Sequence, residues 1–151
     1  PLHREVNVVV IYGGAGTGKT RWAYENHPRL YSKPPNKSSG SWWNGYDGEK
    51  TILLDDYYGG IMYCEFLRVL DRYPYSAPIC GGGYIQAQWD TIIITSNRHP
   101  SLWYSNGMTP ALRRRINKII RATSIDGQTH YEEESLQEAD DPAAEGSAEG
   151  A

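Results

Sequence analysis

Three short apolar runs punctuate an otherwise polar chain: Val6-Asn7-Val8-Val9-Val10-Ile11-Tyr12, Thr51-Ile52-Leu53-Leu54 and Thr91-Ile92-Ile93-Ile94-Thr95. They are continuous rather than alternating, the pattern of parallel strands buried on both faces. Two other stretches have helical spacing. Residues 63–70 place Phe66, Leu67 and Leu70 together, and residues 110–120 place Leu112, Ile116, Ile119 and Ile120 on one face. The run Ile79-Cys80-Gly81-Gly82-Gly83-Tyr84-Ile85 predicts a hairpin around a glycine turn. Residues 33–48, rich in Pro, Ser, Gly and Asn, predict a long loop. No internal repeat is visible. Strands alternating with helices predict an α/β fold with a mainly parallel central sheet.

Bulk properties refine this picture. At 151 residues the chain is most simply one domain. No apolar run approaches a membrane span, and Arg4 and Glu5 interrupt any signal-peptide pattern, so no membrane partner is expected. Two cysteines form no disulfide framework and suit a reducing compartment. The four histidines show no ligand spacing.

The net charge of −3 conceals a split. Residues 1–123 hold fifteen Lys and Arg against nine Asp and Glu, a net +6, while residues 124–151 hold nine acids and no Lys or Arg. The division predicts a basic body at 1–123, suited to a polyanionic partner, and an acidic tail at 124–151. From residue 126 the tail has few large apolar side chains and is expected to be disordered.

The first apolar run leads into Gly13-Gly14-Ala15-Gly16-Thr17-Gly18-Lys19-Thr20, which has the spacing of a phosphate-binding loop. Residues 21–25 then predict the first turns of a helix. Glycines let the backbone aim N–H groups at phosphate oxygens, and the helix N-terminus adds partial positive charge. Lys19 suits the β- and γ-phosphates, and the Thr20 hydroxyl suits Mg²⁺.

The second run ends in Asp55-Asp56. Asp55 is the candidate carboxylate for Mg²⁺, and Asp56 the candidate proton acceptor for an attacking water. The third run ends in Thr95-Ser96-Asn97, where ligands bind in open α/β sheets. Asn97 can orient the water, or the triad can simply cap a strand. Arg113-Arg114-Arg115 fan around a helix, as a basic face or as a source of a guanidinium acting in trans. Trp42-Trp43, with Lys37 and Tyr46, suits either a base-stacking patch or the core.

The order GGAGTGKT, WWNGYDGEKTILLDDYYG, TIIITSN, ALRRRI closely resembles the superfamily 3 helicase domain of replication-initiator proteins of circovirus-like circular single-stranded DNA viruses. The resemblance covers about residues 5–122. It implies an ASCE/AAA+-like P-loop NTPase, a three-layer sandwich with a β-hairpin insertion and the third strand lying between the other two. It implies ATP and Mg²⁺ as cofactors, single-stranded DNA as partner, homo-oligomeric, hexameric rings, and residence in the host nucleus or cytoplasm. By position, residues 13–20 hold phosphates, Thr20 and Asp55 hold Mg²⁺, and Asp56 and Asn97 act on the water. Arg114 or Arg115 would reach a neighbour's ATP.

Two departures stand out. Where relatives carry a lysine before the hairpin glycines, this chain has Cys80 or Gly81. DNA gripping would then fall to Arg98, Lys118 or an aromatic. The endonuclease segment of full-length relatives has no counterpart in these residues, so a helicase domain without it is expected. A non-catalytic ATP- or DNA-binding subunit, which could associate with full-length initiator, is the alternative, followed by a small-molecule P-loop kinase.

Overall fold

β-Branched residues crowd the three apolar runs, and each forms a strand. The computed structural model describes residues 5–34 and 42–136. In chain order the elements are β1 (Asn7–Gly13), α1 (Lys19–Asn26), β2 (Tyr31–Ser32), β3 (Thr51–Leu54), α2 (Tyr63–Val69), β4 (Ser76–Pro78), β5 (Tyr84–Gln86), β6 (Thr91–Ser96), α3 (Pro110–Arg115), β7 (Lys118–Ile125) and β8 (Gln128–Glu134). A 3-10 turn, Pro100–Leu102, follows β6.

Six strands make one sheet in the order β2-β3-β6-β1-β7-β8. All pairings are parallel except β7 with β8. The strand carrying Asn97 at its end therefore lies between the strands that lead to the glycine loop and to Asp55-Asp56, as the family resemblance implies. Hydrophobic burial covers both faces. Val9, Ile11, Leu53, Ile93, Ile120 and Ala122 pack with Ala23 of α1. Val8, Val10, Ile52, Ile92 and Ile94 pack on the opposite face with Phe66 and Val69 of α2 and Leu112 of α3.

The predicted hairpin is present as antiparallel β4 and β5, with Ala77 opposite Ile85. Gly81, Gly82 and Gly83 all take positive φ at its tip. The Cys80 N–H donates to Asn44 Oδ1 at 2.8 Å, tying the tip to the tryptophan loop.

Two expectations are corrected. The helix expected over 110–120 stops at Arg115, with Ile116 already extended at φ −96°, ψ 125°. Asn117 turns the chain: its side chain accepts from Val8 N–H at 2.8 Å, and its own N–H donates to Val8 O at 2.9 Å. Ile119 and Ile120 then enter β7 beside β1. Their positions fit a helical face, but β-branched side chains and an open edge of β1 favour the strand.

The second correction concerns the acidic end. β7 runs through residue 123 to Ile125, and β8 pairs back along it to Glu134, so disorder does not begin at 124 or 126. The connection is Asp126-Gly127, with φ of 53° and 78°. Two positive-φ residues joining antiparallel strands form the turn that Asp-Gly favours. Residues 137–151 of the expected tail lie outside the described residues.

Trp43 and Tyr46 belong to the core rather than to a base-stacking surface. Trp43 is 1% exposed and stacks on Trp89, ring centroids 4.7 Å apart, while Tyr46 meets Trp89 edge-on at 5.2 Å. Trp42 is half-buried, and Lys37 lies outside the described residues. The Trp89 indole N–H donates to Val69 O at 3.3 Å, linking this cluster to α2. Replacing Trp89 with Ala is expected to cost about 3–5 kcal/mol, measured as a lowered urea midpoint with little change in its slope.

Candidate functional site

The glycine loop begins where β1 is pinned from the side. A Cβ on Gly13 would lie 2.2 Å from Ala122 O of β7, so any side chain there would drive the loop off the sheet. Gly18, at φ 86°, is the residue before α1 and takes a left-handed conformation open to glycine at little cost. Thr17 Oγ1 donates to Gly14 O at 2.8 Å and closes the loop on itself. Ala15 and Gly16 form its exposed tip.

Lys19 is 7% exposed. Its ammonium donates to Gly13 O at 3.0 Å, Gly14 O at 2.8 Å and Asn97 Oδ1 at 3.1 Å. Burial pulls its pKa below the usual lysine value, and the negative charges of Asp56 and Asp55 oppose that shift. Residues from β1's loop and β6's end, 78 positions apart, are thereby joined through one cation.

Asp55 is organised by two hydroxyls. Its Oδ1 accepts from Thr20 Oγ1 at 2.8 Å and from Thr95 Oγ1 at 2.7 Å. Thr95 Oγ1 in turn accepts from the Asp56 backbone N–H at 2.9 Å. Asp56 itself takes φ 54°, a conformation disfavoured for a residue with a Cβ. Both Asp55 and Asp56 are exposed. The hydroxyl of Thr20 beside the Asp55 carboxylate makes a set of hard oxygen donors, and these fit Mg²⁺. Among the described residues no three His, Cys, Asp or Glu cluster as a metal cage.

A cleft of about 640 Å³ opens beside these acids, lined in part by Asp55, Asp56, Tyr58, Asn97, Arg98 and Lys33. Lys33 was legible only as a loop residue. It follows β2, its N–H donates to Leu53 O at 3.0 Å, and its ammonium lies 5.2 Å from the Trp43 ring centroid. It is 8% exposed, and burial lowers its pKa to about 8. Between that value and the ordinary 10.5 the unfolded chain binds more protons than the folded one, so this lysine's destabilising effect fades as pH rises. Wild type is expected to gain roughly 2 kcal/mol relative to Lys33→Met between pH 7 and 10, read from denaturation at each pH.

The arginines are elsewhere. Arg114 and Arg115 border a groove with Asn7, Asp71, Thr91 and Asn117, at the amino ends of β1 and β6. The glycine loop is at the carboxyl end of β1, roughly 20 Å away along the strand. Neither arginine converges with Lys19 within one chain. Arg115 is held by Asp71 at 3.2 Å and by Ala111 O at 2.8 Å, whereas Arg114 is exposed.

The mixed α/β fold with its mainly parallel sheet and its glycine loop between first strand and first helix fits the P-loop NTPase class. Comparison with known families narrows it: the RNA helicase family matches residues 9–98, and the chain belongs to that family. It is similar to the replication-associated protein of beak and feather disease virus, 43% identical over 120 residues, covering 79% of this chain and 40% of that protein. The corresponding protein of porcine circovirus 2 is 39% identical over 121 residues, covering 77% and 37%. That of porcine circovirus 1 is 37% identical over 143 residues, covering 91% and 45%. The chain thus spans less than half the length of the curated relatives it matches. No helix among the described residues is long and apolar enough to cross a membrane.

Proposed function

We propose that the chain is an ATP-hydrolysing superfamily 3 DNA helicase domain of a viral replication initiator, with the ASCE/AAA+-like sandwich that this implies and a body running through β8. The observation that carries the reading is the hydrogen-bonded set Lys19–Asn97 and Thr20–Asp55–Thr95. It gathers loop, acid and amide from three adjacent, parallel strands of one sheet. On this reading Lys19 and the N–H groups of residues 13–20 neutralise and orient the phosphates of ATP. Thr20 and Asp55 hold Mg²⁺, which supplies charge neutralisation on the phosphate oxygens. Asp56 accepts the proton of the attacking water, and Asn97 orients that water. Arg114 of a neighbouring copy completes the charge stabilisation, in a homo-oligomeric, hexameric ring around single-stranded DNA.

The test is ATP turnover against protein concentration, with and without single-stranded DNA. Turnover per chain should rise steeply with concentration and rise again with DNA. Strong turnover from a verified monomer would count against a shared site, and stimulation by small phosphate acceptors in place of DNA would favour the kinase alternative. One observation favours a non-catalytic binding subunit as the second reading: the hairpin presents exposed Cys80 and three glycines where a lysine was expected. ATP binding with no DNA-stimulated turnover would support it.

A further inference from the structure

The glycine loop has a second neighbour whose chemistry the proposed hydrolysis does not use. β8 crosses beside it, and the Tyr131 hydroxyl donates to Gly18 O at 3.0 Å. Around the point where a Gly18 Cβ would sit lie Arg21 Nη2 at 3.1 Å, Tyr131 Oη at 3.2 Å and Thr129 Oγ1 at 3.5 Å. Tyr131 pairs with Ala122, and Ala122 packs on the α1 face of the sheet with Ala23. Side chains directly opposite each other in an antiparallel pair share a face, so Tyr131 and Thr129 both stand on the α1 side. Tyr131 is 38% exposed there.

The direction of a bound nucleotide follows from the sheet order. Lys19, Asn97, Thr20 and Asp55 mark the end for the terminal phosphate, on the β6 and β3 side of β1. On the nucleotide-binding reading, phosphates laid along the loop away from that end would bring the nucleoside to the other side of β1, where β7 and β8 lie. The groups met there are an aromatic ring, a hydroxyl and a guanidinium. An aromatic face stacks any nucleobase, while hydroxyl and guanidinium suit ribose and the innermost phosphate.

We propose that Tyr131 is the stacking platform for the base of the nucleoside triphosphate, with Thr129 and Arg21 flanking the ribose and the first phosphate. The inference rests on the nucleotide-binding reading above and names the residue that recognises the nucleoside end. The bland account makes Tyr131 a tether that only steadies the loop through its hydroxyl. The two accounts separate by ligand. ATP contains the base; inorganic tripolyphosphate contains only the part the loop would hold.

The experiment measures displacement of a fluorescent ATP analogue from the full chain by ATP and by tripolyphosphate, in wild type, Tyr131→Phe and Tyr131→Leu. Stacking predicts that Tyr131→Leu weakens ATP about tenfold and leaves tripolyphosphate unchanged, with Tyr131→Phe close to wild type for both. Equal weakening of both ligands, or loss in Tyr131→Phe equal to that in Tyr131→Leu, would assign a tether and overturn the proposal. Unchanged ATP affinity in both variants would overturn it as well. Wild type that binds neither ligand would overturn the nucleotide reading itself. A second measurement needs no variant: photolabelling wild type with 8-azido-ATP should mark a peptide containing residues 128–134. Labelling confined to a segment away from β8 would place the base elsewhere.

Discussion

Lys19→Ala is expected to lower ATP hydrolysis by about 100- to 1,000-fold and to weaken ATP binding, with the fold intact. The size of the effect comes from what the ammonium joins. It is 7% exposed and bridges two loop carbonyls to Asn97 on the neighbouring strand. Its removal takes away the loop's fixed positive charge and releases Asn97 from its place at once. Steady-state hydrolysis with a phosphate-release assay, alongside thermal melting, checks both parts. A variant that melts normally and hydrolyses normally would sink the assignment of this loop as the catalytic cradle. Lys19→Arg keeps the charge but presents a planar fork in place of a point charge. It should recover little of the rate.

Arg114→Ala is expected to reduce turnover by about 1,000-fold or more while leaving ATP affinity near that of wild type. Arg114 is exposed at the amino ends of the strands, far from its own loop, so its loss cannot disturb Lys19 or Asp55. Arg115 differs. It donates to Asp71 and to Ala111 O, and its Nε is buried. Arg115→Ala should therefore lower the melting temperature as well as any rate. Mixing Arg114→Ala with Lys19→Ala supplies the decisive measurement. Each protein alone should be nearly inactive, but on the proposed reading a Lys19→Ala copy would offer its arginine to the intact loop of an Arg114→Ala copy. Partial recovery of hydrolysis on mixing is the expected result. No recovery at concentrations where wild type is active would mean that Arg114 does not act across copies.

Much of the site was legible because its parts are local. The loop at 13–20, the acids at 55–56 and the amide at 97 each sit at the end of a continuous apolar run, and such runs announce buried parallel strands without tertiary information. Their meeting could be expected because parallel strands align their carboxyl ends. What resisted reading is non-local. Leu112, Ile116, Ile119 and Ile120 satisfy a helical period, and only the free edge of β1 decides that the last two pair as a strand. Glu132, Glu133 and Glu134 dominate the composition of β8 and hide it. The Asp126-Gly127 turn was the available local signal. The Glu134 carboxylate accepts from the Tyr12 hydroxyl, and His99 Nε2 lies 3.8 Å from it. An acid there is fixed by partners more than thirty positions away. Lys33 and Tyr131 carry no motif, since each acquires meaning only from the strand beside it.

The separation of loop and arginine along β1 has a consequence for symmetry. On the proposed reading, a chain with its loop at one end of the strands and its arginine at the other can meet a second copy in two ways, the first being a two-fold pair in which each loop meets the other's arginine. The second is a head-to-tail repeat, which closes into a cycle or continues as an open helix according to its rotation angle. In the ring proposed above, each copy would depend on one neighbour and serve the other. A single defective arginine would silence one adjoining site and leave its own intact, giving the assembly a handed order of succession.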